Sequence, residues 1–202
     1  MPEPGRTKRL IIFATLREAA ATIQALAADK TGCDRYSFAG GEIMLCGMGL
    51  EAAARSISTA PTEGYSWLNV GAAGSVDARV PVGAFRSIGR VALLPTEDFL
   101  ILDSSDGALL YSSPTPVYEA PKRCADGALV DMEGYAIAFA AQKKSVPLAM
   151  KKIVSDHCSQ TSHADILANI DWLSRQMADE IFNTLHWETT PTAFASLRGC
   201  SL

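Results

Sequence analysis

The sequence predicts one α/β domain of three layers, with helices on both sides of a mixed, twisted and partly closed central sheet. Apolar runs of strand length alternate along the chain with stretches whose apolar residues recur at helical spacing. The alternation is clearest near residue 130, where strand, helix and strand follow one another. With 202 residues and 48% hydrophobic content, the chain can form one domain with a substantial core.

In the first part of the chain, apolar runs and glycines mark four strands and two helices. The two middle strands flank a Gly-Gly pair and are typical of a hairpin. The fourth strand is expected to end where a Gly-Ala-Ala-Gly segment begins, at residues 71–74. The predicted strands are residues 10–14, 36–39, 42–47 and 66–70, and the predicted helices are residues 16–28 and 50–59.

The second part begins with a β-rich stretch at residues 82–94 and a short apolar run at residues 108–111. Residues 112–121 contain three prolines and are expected to form a loop. A long amphipathic helix is predicted over residues 166–185. We expect the domain to cover residues 9–185 and residues 186–202 to form a loose C-terminal tail.

A right-handed βαβ unit is predicted near residue 130. It consists of a strand at residues 129–131, a crossover helix at 132–141 and a second strand at 146–154. Ligands of such sheets bind at the carboxyl ends of the strands. Glu133 and Asp156 lie at those ends. A carboxylate beside an apolar strand costs free energy unless it is paired or used, so these two acids are candidate functional residues.

Composition argues against several classes of protein. The net charge is −4, the pI is near 5.4 and basic residues cluster at most in pairs, which argues against general nucleic-acid binding. No apolar run approaches the roughly 18 residues of a membrane span, and the apolar run after Arg9 is too short for a signal peptide. The five cysteines lack CxxC spacing, so we expect reduced thiols and a cytoplasmic protein.

Four segments in order resemble the nucleoside phosphorylase-I superfamily, and specifically its hydrolytic branch of methylthioadenosine/S-adenosylhomocysteine nucleosidases and futalosine hydrolases. The resemblance covers roughly residues 9 to 185 and is weak between about 95 and 125. The segments are Ile-Ile-Phe-Ala-Thr-Leu-Arg-Glu at 11–18, Cys-Gly-Met-Gly-Leu-Glu-Ala-Ala at 46–53, Asn-Val-Gly-Ala-Ala-Gly at 69–74 with Val82-Gly83, and Val-Asp-Met-Glu-Gly-Tyr-Ala at 130–136 with Ile-Val-Ser-Asp at 153–156.

The resemblance implies cleavage of an N-glycosidic bond through an oxocarbenium-like transition state. Different carboxyl groups would act as general acid and general base. Asp156 would protonate purine N7, Glu18 would deprotonate the attacking water and Glu133 would bind the ribose hydroxyls. The remaining implied substrate contacts are Met132 and Ser155, which pack the sugar and orient Asp156, together with Thr15, Ala72 and Lys152. The family needs no cofactor or metal, and the resemblance implies a homodimer.

Each acid also has a purely structural interpretation. Glu18 lies in the first turn of a predicted helix, where an acid favours the helix dipole. Glu133 is open to the same interpretation, and Asp156 to that of a turn or N-cap residue. Asp131 is expected to be a plain helix cap. A metal site made of His157, Cys158 and His163 is rejected because a fourth ligand is missing.

Several residues depart from the family pattern, and these departures are the basis for predicting the substrate. Lys152 occupies a position at which the nucleosidases usually have Arg, and Ala84 occupies one at which they usually have Asp. Thr15 replaces a Met that commonly lines the 5′ side of the bound nucleoside. A more polar 5′ pocket and an Asp at 156 make 6-amino-6-deoxyfutalosine, an intermediate of menaquinone biosynthesis, the lead substrate. The alternatives are methylthioadenosine or S-adenosylhomocysteine, purine nucleoside phosphorolysis, and a non-catalytic nucleoside-binding protein. Tyr111 or Tyr118 is expected to stack on the base.

Overall fold

The computed structural model describes residues 7–96, 98–102, 107–119 and 124–185. Within them lie ten strands and four helices. In chain order these are β1 (Lys8–Phe13), α1 (Leu16–Ala25), β2 (Asp29–Lys30), β3 (Arg35–Phe38), β4 (Gly41–Leu45), α2 (Leu50–Ile57), β5 (Tyr65–Ser75), β6 (Phe85–Leu93), β7 (Phe99–Ile101), β8 (Ala108–Ser112), β9 (Leu129–Asp131), α3 (Gly134–Lys143), β10 (Leu148–Asp156) and α4 (Ser162–Leu185).

The strands form one mixed sheet that closes on itself at one end. β5, β10, β6, β8 and β9 pair in turn, and β9 pairs back onto β5, so these five strands form a ring. From the ring, β1, β4, β3 and β2 continue as an open sheet, and β7 is attached to β6. The predicted mixed and partly closed sheet is confirmed.

The helices cover the two faces of the sheet. α2 and α3 pack on one face around a core that includes Trp67 and Ile137, whereas α1 and α4 pack on the other face around Phe13 and Leu173. Ala53, Ile57, Ile137 and Ala141 of the first pair are almost fully buried. The three-layer αβα prediction is confirmed, because one apolar core lies on each side of the sheet.

β5 is the strand around which the rest of the fold is arranged. Its eleven residues, Tyr65–Ser75, run through the Gly-Ala-Ala-Gly segment, so the prediction that the strand ends before residue 71 is wrong. On one edge, β10 pairs with it from Trp67 to Gly74. On the other edge, β1 pairs as far as Asn69 and β9 takes over at Gly74. Pairing with β10 keeps the glycine-containing segment extended.

The predicted βαβ unit is wrong in its pairing, although its strand, helix and strand all exist. β9 is antiparallel to β5 whereas β10 is parallel to it, so β9 and β10 run in opposite directions on opposite edges of β5. α3 therefore crosses over β5 rather than joining neighbouring parallel strands. Gly74 pairs with Val130 on one side and with Asp156 on the other, so the two segments still meet at one place.

Local chemistry explains where the first two helices begin. Thr15 caps α1 through a reciprocal capping box with Glu18. α2 begins after Gly49, whose φ of +88° lies in the region that favours glycine. No helix within the described residues is long and apolar enough to cross a membrane. The predicted tail at residues 186–202 lies outside the described residues.

Candidate active site

The three predicted acids lie around the same end of β5. Glu18 follows β1 in the first turn of α1, Glu133 precedes α3, and Asp156 ends β10. All three are buried, with exposed fractions of 6%, 8% and 6%. Their sequence positions span most of the chain, and they meet because β1, β9 and β10 all pair with β5.

Glu18 occupies the edge of β5 between β1 and β9. Its Oε1 accepts the backbone N–H of Ala72 at 3.1 Å, and its Oε2 accepts the N–H and hydroxyl of Thr15 at 2.8 and 2.9 Å. Glu18 is thus a capping-box residue, a structural role that differs from the dipole interaction considered in the sequence analysis. The capping geometry also holds its carboxylate against the Gly-Ala-Ala-Gly segment.

Glu133 reaches across to the loop before α2. Its Oε1 accepts the N–H of Gly49 at 2.6 Å. The Cε of the half-buried Met132 lies next to Gly49, 3.9 Å from where a Cβ would stand. Burial and the charge of Asp131 raise the pKa of Glu133 to about 7, although Lys152 and the Gly49 N–H act in the opposite direction. Glu133 therefore changes its charge near neutral pH.

This shift predicts a pH dependence of stability. The folded protein binds the Glu133 proton more tightly than the unfolded chain does, so the resulting stability is fully present below the ordinary pKa near 4.5 and is lost as pH rises to about 7. Glu133→Gln should flatten this part of the curve by roughly 1–3 kcal/mol. Urea unfolding at several pH values measures the effect. The exposed Glu63→Gln is the matched control, and equal curves for the two variants would contradict the assignment.

Lys152 and Asp131 form a buried ion pair that the sequence pattern did not reveal. Nζ of Lys152 lies 2.9 Å from Oδ2 of Asp131, and the two side chains are 2% and 1% exposed. Asp131 also accepts the N–H of Gly134, as a helix cap does, at 2.9 Å, so the expectation of a plain cap is incomplete. Burial lowers the pKa of Lys152, but the charges of Asp131 and Glu133 outweigh it and leave that pKa above its ordinary value. The lysine is therefore charged.

Asp156 is held at the end of β10 by its neighbours in sequence. The Ser155 hydroxyl donates to Oδ2 at 2.7 Å, and the N–H of Cys158 donates to Oδ1 at 2.8 Å. The predicted contact between Ser155 and Asp156 is thus present. A Cβ at Gly74 would lie 3.0 Å from Oδ1, so the absence of a side chain there leaves the room in which this carboxylate sits.

Gly74→Ala is expected to destabilise the protein by about 1–3 kcal/mol. The added Cβ would meet the Cys158 Sγ at 2.7 Å and Oδ1 of Asp156 at 3.0 Å, so both must move. Urea unfolding measures the cost, with Gly32→Ala as the control because its Cβ would only touch Arg35 at an ordinary 3.5 Å. Equal stability of the two variants would show that Gly74 is not needed for space.

The remaining observations concern possible metal ligands, the two tyrosines and a cysteine. Among the described residues, no group of three His, Cys, Asp or Glu side chains is placed to hold a metal ion. Tyr111 is half-buried on β8, and Tyr118 is 43% exposed. The buried thiol of Cys46 is within electrostatic reach of the acids, and its pKa is raised to about 12 by burial and by the charge of Glu133.

A cavity of about 300 Å³ lies away from these acids. It is formed between β7, α3 and the start of β10, and its lining includes Leu100, Ile101, Leu102, Ala138, Ala141 and Leu148. None of the predicted catalytic or substrate-binding residues lines it. We place the candidate site at the acids because the lining of this cavity, which also includes Gln142 and Ser145, contains no ionisable side chain that could transfer a proton.

Comparison with known proteins gives a consistent result. No protein-family model matches the sequence, and no curated protein matches it significantly. Among solved structures, the chain is similar to a nucleosidase (MTAN) from Chlamydia trachomatis bound to MTA, with 26% identity, a TM-score of 0.80 and coverage of 89% of this chain and 97% of that chain. The same nucleosidase bound to adenine gives 27% identity, a TM-score of 0.77 and coverage of 88% and 96%.

A third neighbour shows the same fold at lower identity. It is the 5′-methylthioadenosine/S-adenosylhomocysteine nucleosidase from Helicobacter pylori, with 15% identity, a TM-score of 0.74 and coverage of 89% of this chain and 98% of that chain. These neighbours are 5′-methylthioadenosine/S-adenosylhomocysteine nucleosidases, and this chain shares their fold, which is that of the hydrolytic branch of the nucleoside phosphorylase-I superfamily.

Proposed function

We propose that this protein is a hydrolytic nucleosidase that cleaves the N-glycosidic bond of a 5′-modified adenine nucleoside. The observation that carries the proposal is the grouping of Glu18, Glu133 and Asp156, all buried, around one end of β5. The similarity to nucleosidases described with bound MTA or adenine supports it. A metal is not required by this chemistry, which acids and bases alone can perform.

The proposed reaction divides three tasks among the acids. Asp156 donates a proton to N7 as the bond from C1′ to the base breaks, and adenine leaves. Glu18 takes a proton from the water whose oxygen forms the new bond to C1′. Glu133 accepts hydrogen bonds from the ribose hydroxyls, which its ionised form does best. The products are adenine and the free 5-substituted ribose.

Methylthioadenosine is the better supported substrate, and aminodeoxyfutalosine, the lead expectation from sequence, takes second place. The expectation rested on polar groups near the 5′ substituent, above all the Thr15 hydroxyl. That hydroxyl donates its one proton to Glu18 and accepts the Glu18 N–H, so it has no proton left to donate to a 5′ substituent. Lys152 is likewise paired with Asp131. The neighbours described above are named for methylthioadenosine.

The experiment is adenine release from methylthioadenosine and, separately, from aminodeoxyfutalosine in phosphate-free buffer. Release without phosphate supports hydrolysis, and the faster substrate identifies the 5′ group. Release that requires added phosphate would make the protein a phosphorylase. Tight binding of nucleoside without release from either substrate would favour the non-catalytic binding protein and overturn the proposal.

We also propose that the protein is a homodimer, as the family resemblance implies. Two exposed apolar side chains on β7 support an interface: Ile101 is 67% exposed and Phe99 56%. Exposed apolar patches commonly mark contact surfaces. Sedimentation equilibrium measures the mass in solution, and a mass near 21.5 kDa at micromolar concentration would contradict the proposal.

A further inference from the structure

Three buried carboxylates of the candidate site share one buried cation. Glu18, Glu133 and Asp131 are each less than 9% exposed, and Lys152 is the one buried lysine or arginine among the described residues. Buried charges are tolerated when they are paired and hydrogen-bonded. The position of the Lys152 ammonium therefore determines how charge is distributed over the whole site.

Asp131 is fixed from three directions. The Ser112 hydroxyl donates to Oδ1 at 2.6 Å, while Lys152 and the N–H of Gly134 both reach Oδ2 at 2.9 Å. Ser112 is itself held, because its oxygen accepts the N–H of Tyr135 at 2.8 Å. Strand β8 and the first turn of α3 thus hold the carboxylate rigidly, and a carboxylate held in this way holds the ammonium bound to it.

The ammonium lies beside the Gly-Ala-Ala-Gly segment. A Cβ at Gly71 would stand 3.5 Å from Nζ of Lys152 and 3.3 Å from Oε1 of Glu18, so these two atoms are at most about 7 Å apart. At such separations a charge in a buried site acts strongly on its neighbours. Glu133 is also within electrostatic reach of both Lys152 and Asp131.

We propose that Asp131 is a positioning residue of the candidate site, which, held by Ser112, fixes the Lys152 ammonium beside Glu18 and Glu133. This inference rests on the proposed function, because it assigns Glu18 and Glu133 to catalysis and ribose binding. In this arrangement Asp131 acts on the reaction only through Lys152 and through its charge, and a wrongly placed ammonium slows turnover.

The inference predicts opposite effects of the two partners on Glu133. Asp131 raises the pKa of Glu133 and Lys152 lowers it, whereas the Gly49 N–H lowers it further and Glu18 raises it. The Cys46 thiol, which also faces Glu133, stays neutral near pH 7 because its pKa is about 12. Asp131→Asn should therefore lower the pKa of Glu133 and Lys152→Met should raise it. A charge too far from Glu133 to act on it would move its pKa in neither direction, whereas the loss of positioning itself is measured by turnover.

The test is a titration of the Glu133 carboxyl by ¹³C NMR in the full-length protein and in both variants. The control is Ser113→Ala, a neighbouring serine whose hydroxyl donates to the Thr115 carbonyl. It should leave the titration unchanged. Shifts of the same sign in the two variants, or an unchanged pKa in Asp131→Asn, would overturn the inference. If Lys152→Met does not fold, the test depends on Asp131→Asn alone: the pKa of Glu133 should be lower in this variant than in the Ser113→Ala control.

Turnover supplies the second readout. Asp131→Asn and Ser112→Ala should each lower kcat more than tenfold with little change in KM, and Asp131→Glu should restore part of the loss in the first. A kcat within twofold of the wild-type value in Asp131→Asn would contradict the positioning role. The NMR titration needs no turnover, so a wild-type protein that releases no adenine overturns the proposed function without deciding the placement of Lys152.

Discussion

Asp156→Asn is expected to lower the rate of adenine release by about 10²–10⁴-fold, because an amide cannot deliver a proton to the departing base. The substitution should preserve the local structure. The introduced side chain can still accept the N–H of Cys158 with its carbonyl oxygen, and the Ser155 hydroxyl can rotate to accept from the new amide. Binding of the nucleoside is therefore expected to survive while turnover is lost.

The measurement pairs steady-state adenine release with calorimetric binding of methylthioadenosine to the variant. An aspartate-to-asparagine variant of the similar Chlamydia trachomatis nucleosidase is described with MTA bound. Asp165→Asn, at an exposed position in the first turn of α4, is the control for removing one carboxylate. If Asp156→Asn kept at least a tenth of the wild-type rate, Asp156 would not be the general acid.

Most elements of the fold were predictable because their signals are local. Apolar runs marked β1, β9 and β10, the Gly-Gly pair marked the hairpin of β3 and β4, and helical spacing marked α1 and α4. The pairing of β9 and β10 was not predictable in this way. Consecutive strands joined by a helix are usually parallel neighbours, and nothing in a three-residue strand shows that it will pair with the far edge of β5.

The glycine-containing segment at residues 71–74 illustrates a second limit. Glycines usually weaken or end a strand, so the sequence predicted that β5 stops before them. In the fold, Gly71 lies against Glu18 and Lys152, and Gly74 lies against Asp156 and Cys158. These glycines allow side chains from other elements to approach β5 closely, and they do not end the strand. Only the long-range contacts distinguish these two roles.

The acids of the candidate site were predictable from strand ends and motifs, whereas the charge pairing within it was not. Lys152 and Asp131 lie 21 positions apart in the sequence, on strands β10 and β9, which do not pair with each other. Strand β5 lies between these two strands, and the ion pair spans it. Lys151 and Lys152 are adjacent in the otherwise largely apolar strand β10, where successive side chains point to opposite faces, so the sequence indicated that one of them could be buried beside an anion. Sequence alone did not show which of the nearby carboxylates is that anion.

Glu18→Gln tests whether the capping-box residue is also the catalytic base, and it is expected to lower kcat by about 10²–10⁴-fold. An amide cannot take a proton from water. Gln is compatible with the capping box, but its NH₂ group would face either the Ala72 N–H or the Thr15 N–H, so a stability cost of about 1–2 kcal/mol is expected as well. Both kcat and the free energy of unfolding must therefore be measured.

Ser174→Ala separates the two effects. Its hydroxyl donates to the Glu18 carbonyl at 2.8 Å and accepts the N–H of Ala21 at 3.0 Å, so it ties the start of α1 to α4 without touching the Glu18 carboxylate. Its loss should cost about 1 kcal/mol of stability and leave kcat nearly intact. If both variants lost stability and neither lost rate, Glu18 would be a capping residue only and another group would have to activate the water. A large loss of rate in Glu18→Gln alone would assign the base to the carboxylate that the capping box holds against β5.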